Sequence, residues 1–130
     1  MPIAIVRLGT ARLADEGVRV GTVRRPPRGV PKAEFASRNV YDVWMPTLAP
    51  SEALVAMAQH AADDKTWAAF ARKYRAEMKA PEPFRLLDLL AALSKQSNLS
   101  VGCYCEDESR CHRSVLRALL VEHGARLRNS

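Results

Sequence analysis

The sequence contains only three cysteines, and an odd number of cysteines cannot form a complete set of disulfides within one chain. No apolar run approaches the roughly 18 residues needed to cross a bilayer, so no membrane partner is expected. The first residues, MPIAIVRLGTARL, lack a basic segment followed by a long apolar stretch, so no secretory signal is expected. These absences argue against a secreted disulfide scaffold and a membrane protein, and favour a cytoplasmic location.

Basic residues outnumber acidic ones. The 130 residues, enough for one domain, include 20 lysines and arginines against 14 aspartates and glutamates, which gives a net charge of +6. A positive surface attracts anions in general. The leading hypothesis is a small anionic ligand, phosphate- or nucleotide-like, with nucleic acid as a less favoured alternative.

The hydrophobic pattern alternates between strands and helices. Apolar runs predict strands within 2–9, 18–25 and 99–105, while 39–46 is ambiguous between a strand and a structured loop. Helical spacing predicts a helix from a Ser51 cap to about Ala61, and helices over 65–79, 84–96 and 111–124. This order predicts a single small three-layer α/β domain over residues 1–130, Rossmann-like, with a mostly parallel or mixed sheet flanked by helices.

Several helical residues are expected to serve the core. The aromatic stripe over 65–79 is typical of core packing. Pro81 and Pro83 are expected to interrupt the helical pattern, and His60 and His123 to be structural residues near helix ends. The helix over 84–96 is expected to bury one face, formed by Leu86, Leu89, Leu90 and Leu93.

Two loops carry chemistry at the ends of predicted strands. The first, residues 24–32, holds Arg24, Arg25 and Arg28 in a segment stiffened by prolines, which lowers the entropy lost on binding. The second spans residues 105–113. If their strands are parallel, both loops lie at the carboxyl edge of the sheet, where α/β proteins usually bind ligands.

The second loop gathers reactive side chains. Cys111 falls in the first turn of a helix, where unpaired N–H groups favour a thiolate. His112 shares a helix face with apolar residues and should lean toward the sheet. Cys105, Cys111 and His112 are therefore candidates for nucleophile or acid–base roles. Arg110 and Arg113, with the arginines of the first loop, would supply positive charge.

Other interpretations of these residues stay open. The cysteines can be small buried hydrophobes, and for Cys103, within the strand, this is the preferred interpretation. Cys105 and Cys111 can form a disulfide across a five-residue loop, which would make a thiol redox sensor. Together with His112 the cysteines offer ligands for zinc, although paired C-x2-C spacing is missing. No metal or other cofactor is predicted, and zinc remains a minority alternative; the residues leave open whether the protein is an enzyme.

Four segments, RRPPRGVPK, YDVWMPTLAPS, WAAFARKYRAEM and CYCEDESRCHRSVL, resemble domain-of-unknown-function family 488, which includes the YeaO-like proteins. The resemblance covers roughly residues 1 to 124. Its most specific part is the Cys...Cys-His-Arg element, matched by Cys105, Cys111, His112 and Arg113. The PRG element is matched by residues 27–29.

Two departures limit what the resemblance implies. Family members often carry an aspartate and a tryptophan before the PRG element, whereas this chain has TVRR there. Some YeaO-like members lack the Cys-His-Arg element, so it cannot serve a function common to the whole family. The resemblance therefore implies the fold and the location of the site, and does not specify a reaction.

Overall fold

The computed structural model describes residues 2–59 and 63–128 of the chain; His60 and Ala61 lie outside them. The strands are β1 (Ile3–Arg7), β2 (Val18–Gly21), β3 (Val43–Trp44) and β4 (Leu99–Cys103). They form one all-parallel sheet in the order β1-β4-β2-β3. The predicted α/β domain with a parallel sheet is confirmed, and the ambiguous segment 39–46 contributes the two-residue β3.

Strand β4 is last in the sequence and central in the sheet. It pairs with β1 from Ile3 opposite Leu99 onward, and with β2 from Val18 opposite Leu99 onward. Because all strands are parallel, the carboxyl ends of β2 and β4 are neighbours. The two predicted loops therefore begin side by side.

The helices are α1 (Glu52–Gln59), α2 (Asp64–Glu77), α3 (Pro81–Leu93) and α4 (His112–Glu122). Ser51 caps α1 as expected, since its hydroxyl accepts a hydrogen bond from the Leu54 N–H at 3.4 Å. Asp63 caps α2 by accepting from the Thr66 N–H at 2.7 Å. Among the described residues, no helix is long and apolar enough to span a membrane.

Helix α3 differs from the prediction in its start and its buried face. It begins at Pro81, since a first helical residue needs no N–H donor, and not at residue 84. Leu89 and Leu93 are 53% and 41% exposed, so the predicted face is wrong at these two positions. Leu90 is buried as predicted, and Leu87, which lies outside the predicted face, is buried as well. Leucines at five nearby positions allow overlapping stripes, and packing against α4 selects this one.

The four helices and the sheet share one apolar core. Side chains from each helix meet Ile3, Val20 and Val101 of the strands in a single cluster. The hydroxyl of buried Tyr74 donates to the Leu48 carbonyl at 2.7 Å, so this polar group is satisfied. The core holds α4 against the sheet and thereby positions the segment between β4 and α4.

The opposite face of the sheet covers a buried ion pair, the Arg19 cluster, formed by Arg19, Glu16 and Ser100. Arg19 donates to both carboxylate oxygens of Glu16, at 2.7 and 2.9 Å, and to two backbone carbonyls. Ser100 on β4 donates to the same carboxylate at 2.7 Å. This polar layer ties the segment before β2 to the central strand, and it completes the three-layer domain.

Candidate functional site

A cavity of about 830 Å³ lies beyond the carboxyl ends of β2 and β4. Both predicted loops line it. The first loop contributes Arg24, Arg25, Pro26, Pro27 and Arg28, and the second contributes Cys105, Arg110, Cys111 and His112. Tyr104, Cys103 and the first residues of α1 complete the walls. The structure thus brings seven of the eight sequence-predicted site residues to one cavity.

The imidazole of His112 is held at the start of α4. Its Nε2 lies 2.8 Å from the Thr22 carbonyl oxygen and 3.2 Å from the Thr22 hydroxyl. A carbonyl oxygen only accepts, so Nε2 carries the proton and Nδ1 offers a lone pair. The Thr22 hydroxyl donates to the Gly102 carbonyl at 2.9 Å, which fixes the acceptor itself. The ring therefore has one tautomer and one orientation.

The free lone pair of His112 faces the thiol of Cys111. The two atoms, Nδ1 and Sγ, are 3.8 Å apart, and both side chains are buried. Cys111 is the N-cap residue immediately before α4, in an extended conformation, and not within the first helical turn as predicted. Hydrogen bonds from Cys103 and Cys105, followed by the contact with His112, hold the pKa of Cys111 well below its usual range. Cys111 is therefore the most acidic of the three thiols.

Cys103 and Cys105 complete a cluster of three thiols. Their sulfur atoms are 3.7 Å apart, and all three cysteines are free. Hydrogen bonding to Cys105 and Cys111, with burial, raises the pKa of Cys103. The pKa of Cys105 is also raised, because the effects of Cys111 and burial exceed the lowering effect of Cys103. Since neighbouring like charges repel, ionisation of one thiol disfavours ionisation of the other two, and Cys111 is the thiol that ionises first.

Three arginines of the cavity already have partners. Arg24 donates to the backbone carbonyls of Pro50 and Ala49 at 3.0 and 3.2 Å. Arg25 pairs with Glu52, and Arg110 pairs with Asp64, whose side chain is 95% exposed.

Arg28 is exposed and makes no side-chain hydrogen bond or ion pair with the described residues. Within the first loop, Arg24 is thus bound to backbone carbonyls of the protein, whereas Arg28 has no side-chain partner among the described residues.

Arg113 is placed differently from the prediction that it faces a ligand. It does not line the cavity, and it is 3% exposed. One guanidinium nitrogen donates to the Cys105 carbonyl at 2.5 Å, while its buried Nε has no partner among the described residues. Arg113 therefore acts on Cys105 from behind the cavity wall, as a positioning residue.

A metal could be held by Cys103, Cys111 and His112. One potential ligand atom from each lies within 4.8 Å of the others, and thiolate with imidazole is a donor set that suits Zn²⁺. The hydrogen bond from His112 Nε2 to a carbonyl is also usual for metal-bound histidines. The same geometry serves a metal-free thiol–imidazole pair, and the two arrangements differ in whether the thiols are free to react.

Sequence reasoning missed two residues of the site. Thr22 orients His112 but was noted only as a strand residue, and its position directly before the basic loop was the available signal. Tyr104 lines the cavity, and its hydroxyl donates to the Arg25 carbonyl at 3.3 Å, which links the two loops. Alternation along the strand placed this side chain away from the cysteines, with no sign of that link.

An all-parallel sheet with a thiol–imidazole pair at the carboxyl edge of its central strands defines a Rossmann-like α/β protein with a cysteine-based site. The chain belongs to the DUF488 family: residues 3–124 match the model DUF488-N3a, described as the "Active DUF488-N3 subclade". The predicted family is confirmed. Searches of curated proteins and of solved structures each find no significant match.

Proposed function

We propose that this protein binds a small anionic ligand, phosphate- or nucleotide-like, between loops 24–32 and 105–113, and that Cys111 and His112 act on it. One observation carries the proposal. Arginines from both loops line the same cavity as the buried thiol of Cys111 and its neighbouring imidazole. A cavity of this volume accommodates a ligand of nucleotide size.

The arginines can exchange their present partners for a ligand. Arg25 and Glu52 are 73% and 66% exposed, and such exposed pairs contribute about 0–1 kcal/mol. Arg110 pairs with the carboxylate of Asp64, whose side chain is 95% exposed. Arg28 has no partner to give up among the described residues. An entering phosphate or carboxylate therefore replaces weak contacts with charged hydrogen bonds.

The chemistry assigned to the floor of the cavity is nucleophilic. Cys111 attacks as the thiolate, and Nδ1 of His112 receives and returns its proton. Thr22 keeps the imidazole in the tautomer that this transfer requires. Arg113 holds the backbone of Cys105 beside them.

The test is calorimetric titration of the protein with inorganic phosphate and with a nucleoside monophosphate. The double variant R28A/R110A is expected to bind about tenfold more weakly or worse, because each arginine supplies a charged hydrogen bond. Arg75→Ala is the matched control, since Arg75 pairs with Glu122 away from the cavity. Equal affinities of R28A/R110A and R75A would contradict the proposal.

The same variants separate this function from nucleic-acid binding. A single-stranded oligonucleotide held by the overall charge loses affinity to a similar extent in R75A and in R28A, and its affinity falls steeply with salt. That pattern, without phosphate binding, would support the nucleic-acid alternative.

A further inference from the structure

We propose that the anionic ligand is a low-molecular-mass disulfide bearing carboxylates, and that Cys111 and Cys105 reduce it by thiol–disulfide exchange. This inference rests on the proposed function, because it uses the same cavity and the same arginines. It goes beyond that function by naming the class of substrate and the bond that changes.

The three thiols differ in the ways that such an exchange requires. Cys111 is buried at the floor and faces an imidazole lone pair, so it is the attacking sulfur. Cys105 is a free cysteine, exposed at the mouth of the cavity, so it is suited to the second attack. Cys103 is the last residue of β4, fixed in the sheet, and its sulfur lies 3.7 Å from that of Cys105. One site therefore contains both an attacking and a resolving thiol.

The position of Cys105 supports the second step. Five residues separate it from Cys111, a loop that allows a disulfide between them. Arg113 binds the Cys105 carbonyl from the protein interior and keeps this residue beside the cluster. A lone reactive thiol would need no such arrangement.

The cavity selects a disulfide over two other electrophiles. Reaction at a phosphate ester needs strong oxyanion donors beside the nucleophile, whereas the floor beside Cys111 carries thiols. A small peroxide needs neither an arginine rim nor a cavity of about 830 Å³. A carboxylate-bearing disulfide would use the arginines that line the cavity, the volume of the cavity, and the thiols of Cys105 and Cys111.

The reaction balances without a further reagent. Nδ1 of His112 takes the proton of Cys111, the Cys111 thiolate attacks one sulfur of the substrate, the substrate S–S bond breaks, and the leaving thiolate takes that proton from His112. The Cys105 thiol then gives its proton to His112 and attacks the Cys111 sulfur, and the second substrate sulfur leaves with that proton as a thiol. The substrate disulfide is reduced to two thiols, and the protein is oxidised by formation of a Cys105–Cys111 disulfide.

The experiment uses oxidised glutathione as the anionic probe and 2-hydroxyethyl disulfide as the neutral one, with intact-mass analysis of reduced protein. Wild-type protein is expected to release two probe thiols and to lose the mass of two hydrogens. Cys105→Ser is expected to stop as a mixed disulfide on Cys111, and Cys111→Ser to form no adduct in the cavity. Cys103→Ser is expected to react more slowly but still to end in the internal disulfide.

The arginines supply a second readout. In R28A/R110A the rate with oxidised glutathione is expected to fall about tenfold relative to the rate with the neutral probe. In R75A the ratio of the two rates is expected to stay at the wild-type value. Thermal unfolding of each variant verifies that it is folded before the rates are compared.

Several results would overturn the inference. These are a Cys105→Ser protein that still closes a disulfide, a Cys111→Ser protein that reacts like wild type, or a native mass that includes zinc with protected thiols. Its failure is distinguishable from failure of the proposed function. Arginine-dependent phosphate binding without exchange leaves the anion site standing, and exchange equally fast with both probes removes the anion site while leaving the thiol pair.

Discussion

Two buried polar clusters lie on this small sheet, and they are built in different ways. In the Arg19 cluster, the guanidinium meets a carboxylate and two carbonyls, and that carboxylate also accepts from Ser100 and from the Leu13 N–H. In the thiol cluster around Cys111, the sulfur atoms open onto a cavity.

The Arg19 cluster is built to stabilise the fold, whereas the thiol cluster has groups that are still available to a ligand. Every polar group that is saturated by its neighbours, as in the Arg19 cluster, has no capacity left for a ligand. The thiol cluster keeps a nucleophile, a proton acceptor and, behind them, a buried Arg113 Nε that has no partner among the described residues. The first cluster should therefore respond to mutation by loss of stability, and the second by loss of reactivity.

The largest effect is expected from Arg19→Ala, which leaves the Glu16 carboxylate buried without its cation. Removing one partner of a buried ion pair costs roughly 3–5 kcal/mol of unfolding free energy. Urea unfolding measures this, with Arg75→Ala as the control at an exposed pair, where a loss of about 1 kcal/mol or less is expected. Similar losses in the two variants would erase the contrast between the clusters.

Acid should act on the Arg19 cluster next. Burial alone would raise the pKa of Glu16, but hydrogen bonds from Arg19, Leu13 and Ser100 outweigh it and lower the pKa to about 2. This stabilisation is fully present above the ordinary pKa of 4.5 and is lost as the pH falls toward 2, by about 3 kcal/mol in total. Unfolding at pH 7 and pH 2 should show this loss in wild type and a smaller one in Glu16→Gln. Parallel pH curves for the two proteins would argue against it.

A comparable effect on reactivity, with little on stability, is expected from His112→Gln. Alkylation of Cys111 by iodoacetamide should slow by about 10²-fold, because the proton acceptor is lost. In wild type, the lowered pKa of Cys111 should allow its alkylation at a lower pH than that of Cys105, whose pKa is raised. Peptide mass analysis assigns each adduct. The prediction fails if Cys111 and Cys105 show the same pH profile.

The smallest effect is expected from Arg28→Ala. This exposed arginine has no partner among the described residues, so the unfolding free energy should change by less than about 0.5 kcal/mol. Phosphate affinity should nevertheless fall a few-fold, by about 1 kcal/mol or less. A calorimetric titration and a urea curve on the same preparation suffice, and a stability loss without an affinity loss would assign Arg28 to the fold.

That the two loops lie side by side could be predicted from the sequence because its signals are local. The spacing of Cys105, Cys111 and His112, and the prolines beside Arg28, mark both loops without knowledge of the fold. The parallel sheet then follows from the order of strands and helices, and it places the two loops at one edge.

What sequence could not supply are contacts between distant residues. The partner of His112 is Thr22, 90 positions away, and the partner of Arg113 is a backbone carbonyl that any residue would provide. The buried face of α3 depends on which of several leucine stripes α4 covers. No local sequence feature indicates that Arg19 is buried. Its burial depends on Glu16, in the turn before β2, and on Ser100 of β4.

The order of the strands also determines when this protein can take shape during its synthesis. Strand β4 fills the position between β1 and β2, and it begins 96 residues after β1. Until the ribosome has released Leu99–Cys103, both earlier strands expose unpaired backbone edges. All three thiols, in the last quarter of the chain, therefore emerge with the segment that closes the sheet, so a nascent chain gains its shape and its thiol cluster together.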